Sequence, residues 1–263
     1  MSVTRAPAVA GLFYPVDSQQ LAHNVRQLLA AATPQNLSPK ALIVPHAGYI
    51  YSGAIAASAY ATLKSCAQQI HRVVLLGPTH RVAVRGLALP GVDTFDSPLG
   101  QIKLDRQAEL SISHLPQVTI SSEAHALEHS LEVQLPFLQS VLPDFTLVPL
   151  AVGMATAEEV HEVLEILWGG EETLIVISSD LSHFLPYADA QRRDNDTVDS
   201  ILKMRQPIHH EQACGGTPIN GLLLAARQHQ LTPQLLDLRN SGDTAGSRDR
   251  VVGYASFAFT EKT

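Results

Sequence analysis

Short apolar runs bounded by breaker residues organise this chain. Ala41-Leu42-Ile43-Val44, Val73-Val74-Leu75-Leu76, Leu147 to Val152 and Thr173 to Ile177 are apolar at nearly every position. That pattern predicts strands buried on both faces, as in a parallel sheet covered by helices. Between the runs the spacing becomes helical. Leu21, Val25, Leu28 and Leu29 recur on one helix face, with Asp17 or Ser18 available as N-cap. Further helices are expected over residues 54–67, 157–167, 188–204 and 217–230, and Val251 to Phe259 reads as a last strand. Leu131, Leu135, Leu138 and Leu142 keep helical spacing too, although Pro136 should kink or divide that helix.

This alternation is βαβ grammar. It predicts an α/β fold, a single domain over residues 1–263 with a central, mostly parallel or mixed sheet flanked by helices. Arg5 to Pro15, rich in breakers and aromatics, reads as an extended arm packed onto the domain, and Pro34 and Pro39 close a loop before the first strand. Residues 81–120 are richer in Pro, Gly and Asp. With short strand candidates at Leu87 to Leu89 and Val118 to Ile120, they are expected to leave the main sheet.

Composition narrows the function classes. With 263 residues, 45% apolar and 16% charged, the chain can bury a substantial core. A net charge of -7 and the lack of any basic cluster argue against a nucleic-acid partner and favour a small-molecule or peptide ligand. No apolar run reaches the roughly 18 residues that a membrane helix needs, and Met1 to Arg5 lead into no signal-like core. A cytoplasmic protein without membrane contact is the expectation. Cys66 and Cys214 are too few for a disulfide framework, and Cys66, inside a predicted helix, reads as a small buried hydrophobe.

Chemistry concentrates where strands end. His46, His80 and His183 each lie at or within a few residues of the carboxyl end of a predicted buried strand, where ligands bind in α/β sheets. Three imidazoles can therefore share one crevice, as metal ligands or as acid and base. Cys214 precedes the apolar helix that Thr217 can cap and Pro218 can open, so a helix terminus is expected to lower its thiol pKa. Within Glu128-His129-Ser130-Leu131-Glu132, the second histidine of a His-Glu-x-x-His motif is missing. His129 is therefore a candidate to support a metal ligand from behind or to face the substrate, and the glutamates can be a solvated or capping arrangement. Asp180 can orient His183 or cap the next helix, and Tyr51 lies on the same group of loops. His209-His210 reads as a solvated loop and Ser241 to Gly246 as a turn.

Arg5 to Pro15, Pro45 to Gly53, Gly77 to His80, Glu128 to Phe137, Ser178 to Phe184, Cys214 to Ile219 and Val251 to Tyr254 together resemble the Memo family, component B of the AmmeMemoRadiSam system. The resemblance implies a fold similar to the extradiol ring-cleaving dioxygenases. It makes His46 and His80 the imidazole ligands of a metal, Cys214 the third ligand, and His183 the acid and base, with Asp180 and Tyr51 beside it. Fe(II) is the implied cofactor, while a thiolate in place of the dioxygenase carboxylate also suits Cu or Zn. The implied activity is an iron- or copper-dependent oxidoreductase acting on a small or protein-borne substrate. Two other readings use the same cleft: a non-catalytic peptide- or protein-binding module, as animal Memo proteins are thought to be for phosphotyrosine peptides, and a zinc-dependent hydrolase with His183 or Asp180 as base. Family resemblance also implies radical-SAM and AMMECR-type partner proteins.

Overall fold

The structure is a computed structural model, and it describes residues 3–33 and 35–261. Pro34 of the expected loop lies outside the described residues. In chain order the strands are β1 (Thr4–Arg5), β2 (Ala41–Val44), β3 (Arg72–Pro78), β4 (Leu87–Leu89), β5 (Thr94–Ser97), β6 (Gly100–Lys103), β7 (Val118–Ile120), β8 (Thr146–Val152), β9 (Thr173–Ser178), β10 (His183–Leu185), β11 (Leu231–Asn240) and β12 (Val251–Glu261). The helices are α1 (Ser18–Ala31), α2 (Tyr49–Tyr60), α3 (Arg106–Ile112), α4 (Ser122–Ala126), α5 (Leu135–Val141), α6 (Ala157–Leu167), α7 (Tyr187–Leu202) and α8 (Gly216–Gln228).

The central sheet is mixed. Its strand order is β10-β12-β2-β9-β3-β8-β4-β7, with β11 paired to β12. The four middle strands β2, β9, β3 and β8 run parallel, and the flanking β12 and β4 run antiparallel to them. Alternate side chains feed two cores. Leu42, Val44, Val73, Leu75, Leu174 and Val176 pack under α1, α2 and α5. Ala41, Ile43, Val74, Leu76, Ile175 and Ile177 pack under α6, α7 and α8. Both faces of the middle strands are thus covered, which is why their sequence shows no polar alternation.

Local chemistry sets the element ends. Asp17 caps α1 by accepting the Gln20 N–H, and Thr156 with Glu159 forms a capping box on α6. Pro136 divides the expected helix: a 3-10 turn over Glu132–Gln134 precedes α5, where the proline occupies the first turn, in which a backbone N–H has no partner to lose. Residues 81–120 depart from expectation. β4 and β7 extend the main sheet at the β8 edge, and only the β5–β6 hairpin leaves it, joining β1 in a separate three-stranded sheet. β11 is a further difference, because Pro233, Gln234, Asp237 and Arg239 hide its strand character. As a partner of β12 alone it tolerates the proline and carries a bulge between Leu235 and Asp237.

The amino-terminal arm is clamped by one buried carboxylate. Glu132, with no exposed surface, accepts the Arg5 guanidinium (2.7 Å) and the Ala8 N–H (2.7 Å) on one oxygen, and the Val9 N–H (2.9 Å) and Tyr14 hydroxyl (2.6 Å) on the other. Arg5 also donates to the carbonyls of His125 and Glu128, each at 2.7 Å. The arm and the segment 125–132 are held as one unit. Glu132→Gln removes the charge that compensates a buried guanidinium, so unfolding stability in urea is expected to fall by about 3–5 kcal/mol. A loss below about 1 kcal/mol, the range of exposed ion pairs, would show that the clamp does not hold the arm.

Candidate metal centre at the sheet crest

Strand order brings the site together. β9 lies between β2 and β3, so the loop after β2, carrying His46, and the loop after β3, carrying His80, rise on either side of Ser178 to Asp180. Segment 128–134 crosses above them. Ring centroids of His46 and His80 are 5.2 Å apart, those of His46 and His129 5.4 Å, and those of His80 and His129 4.7 Å. One nitrogen from each of the three rings lies within 4.8 Å of the others. Cys214 Sγ stands 3.3 Å from His46 Nε2. Metal ligands about 2.0–2.3 Å from a common ion have separations of this order.

Two of the rings, His80 and His46, are braced from behind. His80 Nδ1 lies 2.8 Å from Glu128 Oε1, and the His80 N–H donates to Glu128 Oε2 at 2.6 Å. The same carboxylate accepts the N–H groups of His129 and Ser130, both at 2.9 Å. Burial would raise the Glu128 pKa, but hydrogen bonds from His80 and Ser130 hold it down at about 2. It stays ionised and can accept from His80. His46 Nδ1 meets the Ser178 hydroxyl at 2.8 Å. Burial, followed by repulsion from His80, His129 and His183, pushes His46 well below the ordinary imidazole pKa. Burial likewise brings His129 down to about 4. At neutral pH both rings are uncharged, the form that binds a metal. Phe13 of the arm packs on His129 at 4.8 Å between centroids.

Cys214 does not behave as its place in the sequence predicts. α8 begins at Gly216 behind Gly215, no side chain caps it, and Thr217 lies inside the helix. Burial and the Asp180 carboxylate drive the thiol up to about 12, so the helix terminus does not yield a thiolate. Asp180 also differs from both of its expected roles. Its carboxylate accepts the His46 N–H at 2.7 Å, and its carbonyl accepts the Cys214 N–H at 3.2 Å. It therefore ties together the loops that carry two of the candidate ligands. Burial, opposed by the N–H of His46, raises its carboxyl to about 7.

His183 starts β10 and is exposed, outside the group of three close imidazoles. Partial desolvation of its ring, with repulsion from His80 and His210, lowers its pKa although the residue keeps solvent-exposed surface. Tyr51 lies half-buried on the first turn of α2; burial, followed by Asp180 and Tyr51, raises the pKa of Tyr254. His209 and His210 are exposed on the loop before Cys214, and residues 241–243 form a 3-10 turn capped by Asn240. Sequence reasoning did not bring His129 into the cluster or notice Ser178 and Gln134. The one available signal was Ser178 as the last residue of a strand pointing at the crest.

Among the described residues no helix is long and apolar enough to cross a membrane. The Memo-like protein family matches residues 5–258. A MEMO1 family protein of Aquifex aeolicus strain VF5 is 34% identical over 268 residues, covering 97% of this chain and 98% of its own. One from Methanosarcina barkeri strain Fusaro is 34% identical over 269 residues, covering 96% and 98%. The crystal structure of an uncharacterized protein from Escherichia coli K12 superposes with a TM-score of 0.53 over 82% of this chain and 98% of that one, at 18% identity, a likeness of fold alone. With a family match along nearly its whole length and full-length relatives at one-third identity, the chain belongs to the Memo-like protein family.

Proposed function

We propose that this protein is a metal-dependent oxidoreductase whose ion is held at the sheet crest by His46, His80 and Cys214, with His129 as an additional imidazole donor. The observation that carries the reading is the convergence of three imidazole nitrogens within 4.8 Å of one another, with a thiol 3.3 Å from one of them. The donor set fits a metal. His46 and His129 are uncharged at neutral pH, and hydrogen-bond partners behind His46 and His80 resemble the outer shell of established metal sites. Iron(II) or copper(I) held by these residues would supply redox chemistry.

The chain's own groups have distinct tasks. Cys214 must lose its proton to become a ligand, and an ion beside it offsets the burial that otherwise keeps the thiol protonated. Asp180 keeps the His46 and Cys214 loops in register through its carboxylate and its carbonyl. His183, exposed and with a lowered pKa, is available at the rim to accept a proton from a substrate hydroxyl.

Three outcomes are expected. Wild-type protein titrated with Zn(II) binds one equivalent, and His80→Ala weakens binding by more than the roughly 10–100-fold typical of losing an outer-shell partner. Unchanged affinity would remove His80 from the site. With Co(II) as probe, thiolate ligation gives a sulfur-to-metal charge-transfer band in the near ultraviolet. Cys214→Ser is expected to abolish that band and His129→Ala to keep it; wild-type protein that binds Co(II) without the band would remove Cys214 from the site and leave His129 as the third donor. For activity, protein reconstituted anaerobically with Fe(II) should consume oxygen when given a responsive member of a catechol panel. Absence of turnover with every metal form across a broad panel would count against oxidoreductase chemistry.

A further inference from the structure

We propose that Ser178 and Gln134 are positioning residues that commit His46 to the tautomer protonated at Nδ1, leaving Nε2 as the lone pair presented to the crest. The proposal rests on the reading of the crest as a metal site and adds to it the device that makes its deepest imidazole a competent donor.

Hydrogen-bond roles around a single hydroxyl fix the tautomer. Ser178 ends β9 in register with Val44 of β2, two residues before His46, and it has no exposed surface. Its Oγ has three partners: the Ser130 carbonyl at 2.6 Å, His46 Nδ1 at 2.8 Å and Gln134 Nε2 at 2.9 Å. A serine hydroxyl has one hydrogen and two lone pairs. The Ser130 carbonyl can only accept, so it takes the hydrogen.

Gln134 then occupies one lone pair. Its amide orientation is set by the Pro45 carbonyl, which can only accept and lies 2.9 Å from Nε2. The Tyr60 hydroxyl donates to Oε1 at 2.9 Å. Gln134 is fully buried and both ends of its amide are satisfied. One lone pair of Ser178 is left for His46, so Nδ1 must donate. The alternative tautomer would face a lone pair with a lone pair in a site without water access, an arrangement buried polar groups avoid.

The two braced histidines reach one result by different means. His80 donates Nδ1–H to an ionised carboxylate, Glu128, at the exposed side of the cluster, whereas His46, only 1% exposed, donates to a neutral hydroxyl. A carboxylate on the His46 ring, in addition to those of Glu128 and Asp180, would add a further buried charge to compensate. The Gln134–Ser178 pair delivers the orientation without it. Because Gln134 also holds the Pro45 carbonyl, one amide fixes both the ring's hydrogen-bond partner and the backbone that leads into the ring.

The test uses metal-free full-length protein labelled with 15N-histidine. Long-range 1H–15N correlation spectra at pH 8, with His46 assigned from the signal lost in His46→Ala, report which ring nitrogen carries the proton. Nδ1–H is expected for wild type, and Nε2–H would overturn the proposal. In Ser178→Ala the His46 signal should move toward the Nε2–H pattern, and Zn(II) affinity should fall by about 10–100-fold. A folded Ser178→Ala with the wild-type tautomer and affinity would overturn it as well. If that variant does not fold, the wild-type spectrum alone decides. Wild type that shows Nδ1–H at His46 yet binds no Zn(II) overturns the metal reading and leaves the tautomer assignment standing.

Discussion

The Glu132 carboxylate, enclosed without solvent and filled by four donors from the amino-terminal arm, is the interaction on which the crest depends. A buried charge is tolerated only when its lone pairs are satisfied, and here the donors come from a part of the chain some 120 residues away in sequence. Arg5 then extends the clamp to the carbonyls of His125 and Glu128. The turn that delivers Glu128 and His129 is thereby fixed from below, and Phe13 is set against the His129 ring. Without that anchor, nothing in a five-residue helix such as α4 or a three-residue 3-10 turn would position an imidazole to within an ångström.

A second constraint comes from the sheet. Parallel strands β2, β9 and β3 deliver their carboxyl ends to one crest, as the general rule for ligand sites in α/β folds requires. What distinguishes this crest is how completely its polar groups are used. Ser178, Asp180, Glu128 and Gln134 each serve two or more loops, so each candidate ligand is held by a group that also holds a neighbour. Such shared partners restrict ring rotation, and low mobility is what a preorganised site needs.

Family membership and chemistry stand at different levels. Identity of one third along the whole chain ties this protein to Memo-like relatives, and the E. coli structure extends the likeness to fold alone. A fold does not carry an activity with it. The functional reading therefore comes from the site itself: imidazoles kept uncharged by burial, a thiol kept protonated until a cation approaches, and an exposed imidazole at the rim. As a ligand in the proposed site, the thiol would separate this constellation from a two-histidine, one-carboxylate centre, since a soft donor broadens the range of ions accepted.

Much was legible from the sequence because burial on both faces leaves a direct mark. The runs at 41–44, 73–76, 147–152 and 173–177 are strands for the reason they are apolar, and α6 spans the residues its amphipathic spacing indicated. His46 and His80 were recognisable from their place just beyond such runs. Other features left no local mark. β11 is strand only because β12 offers it a partner, and β4 and β7 belong to the main sheet only because β8 has a free edge. Tertiary structure alone decided that His129 joins His46 and His80, that Asp180 serves the His46 backbone rather than His183, and that burial raises rather than lowers the Cys214 thiol pKa. The physical reason is common to all three. Periodicity records which side chains avoid water, whereas hydrogen-bond partners and pKa values depend on groups that meet only after distant segments have packed.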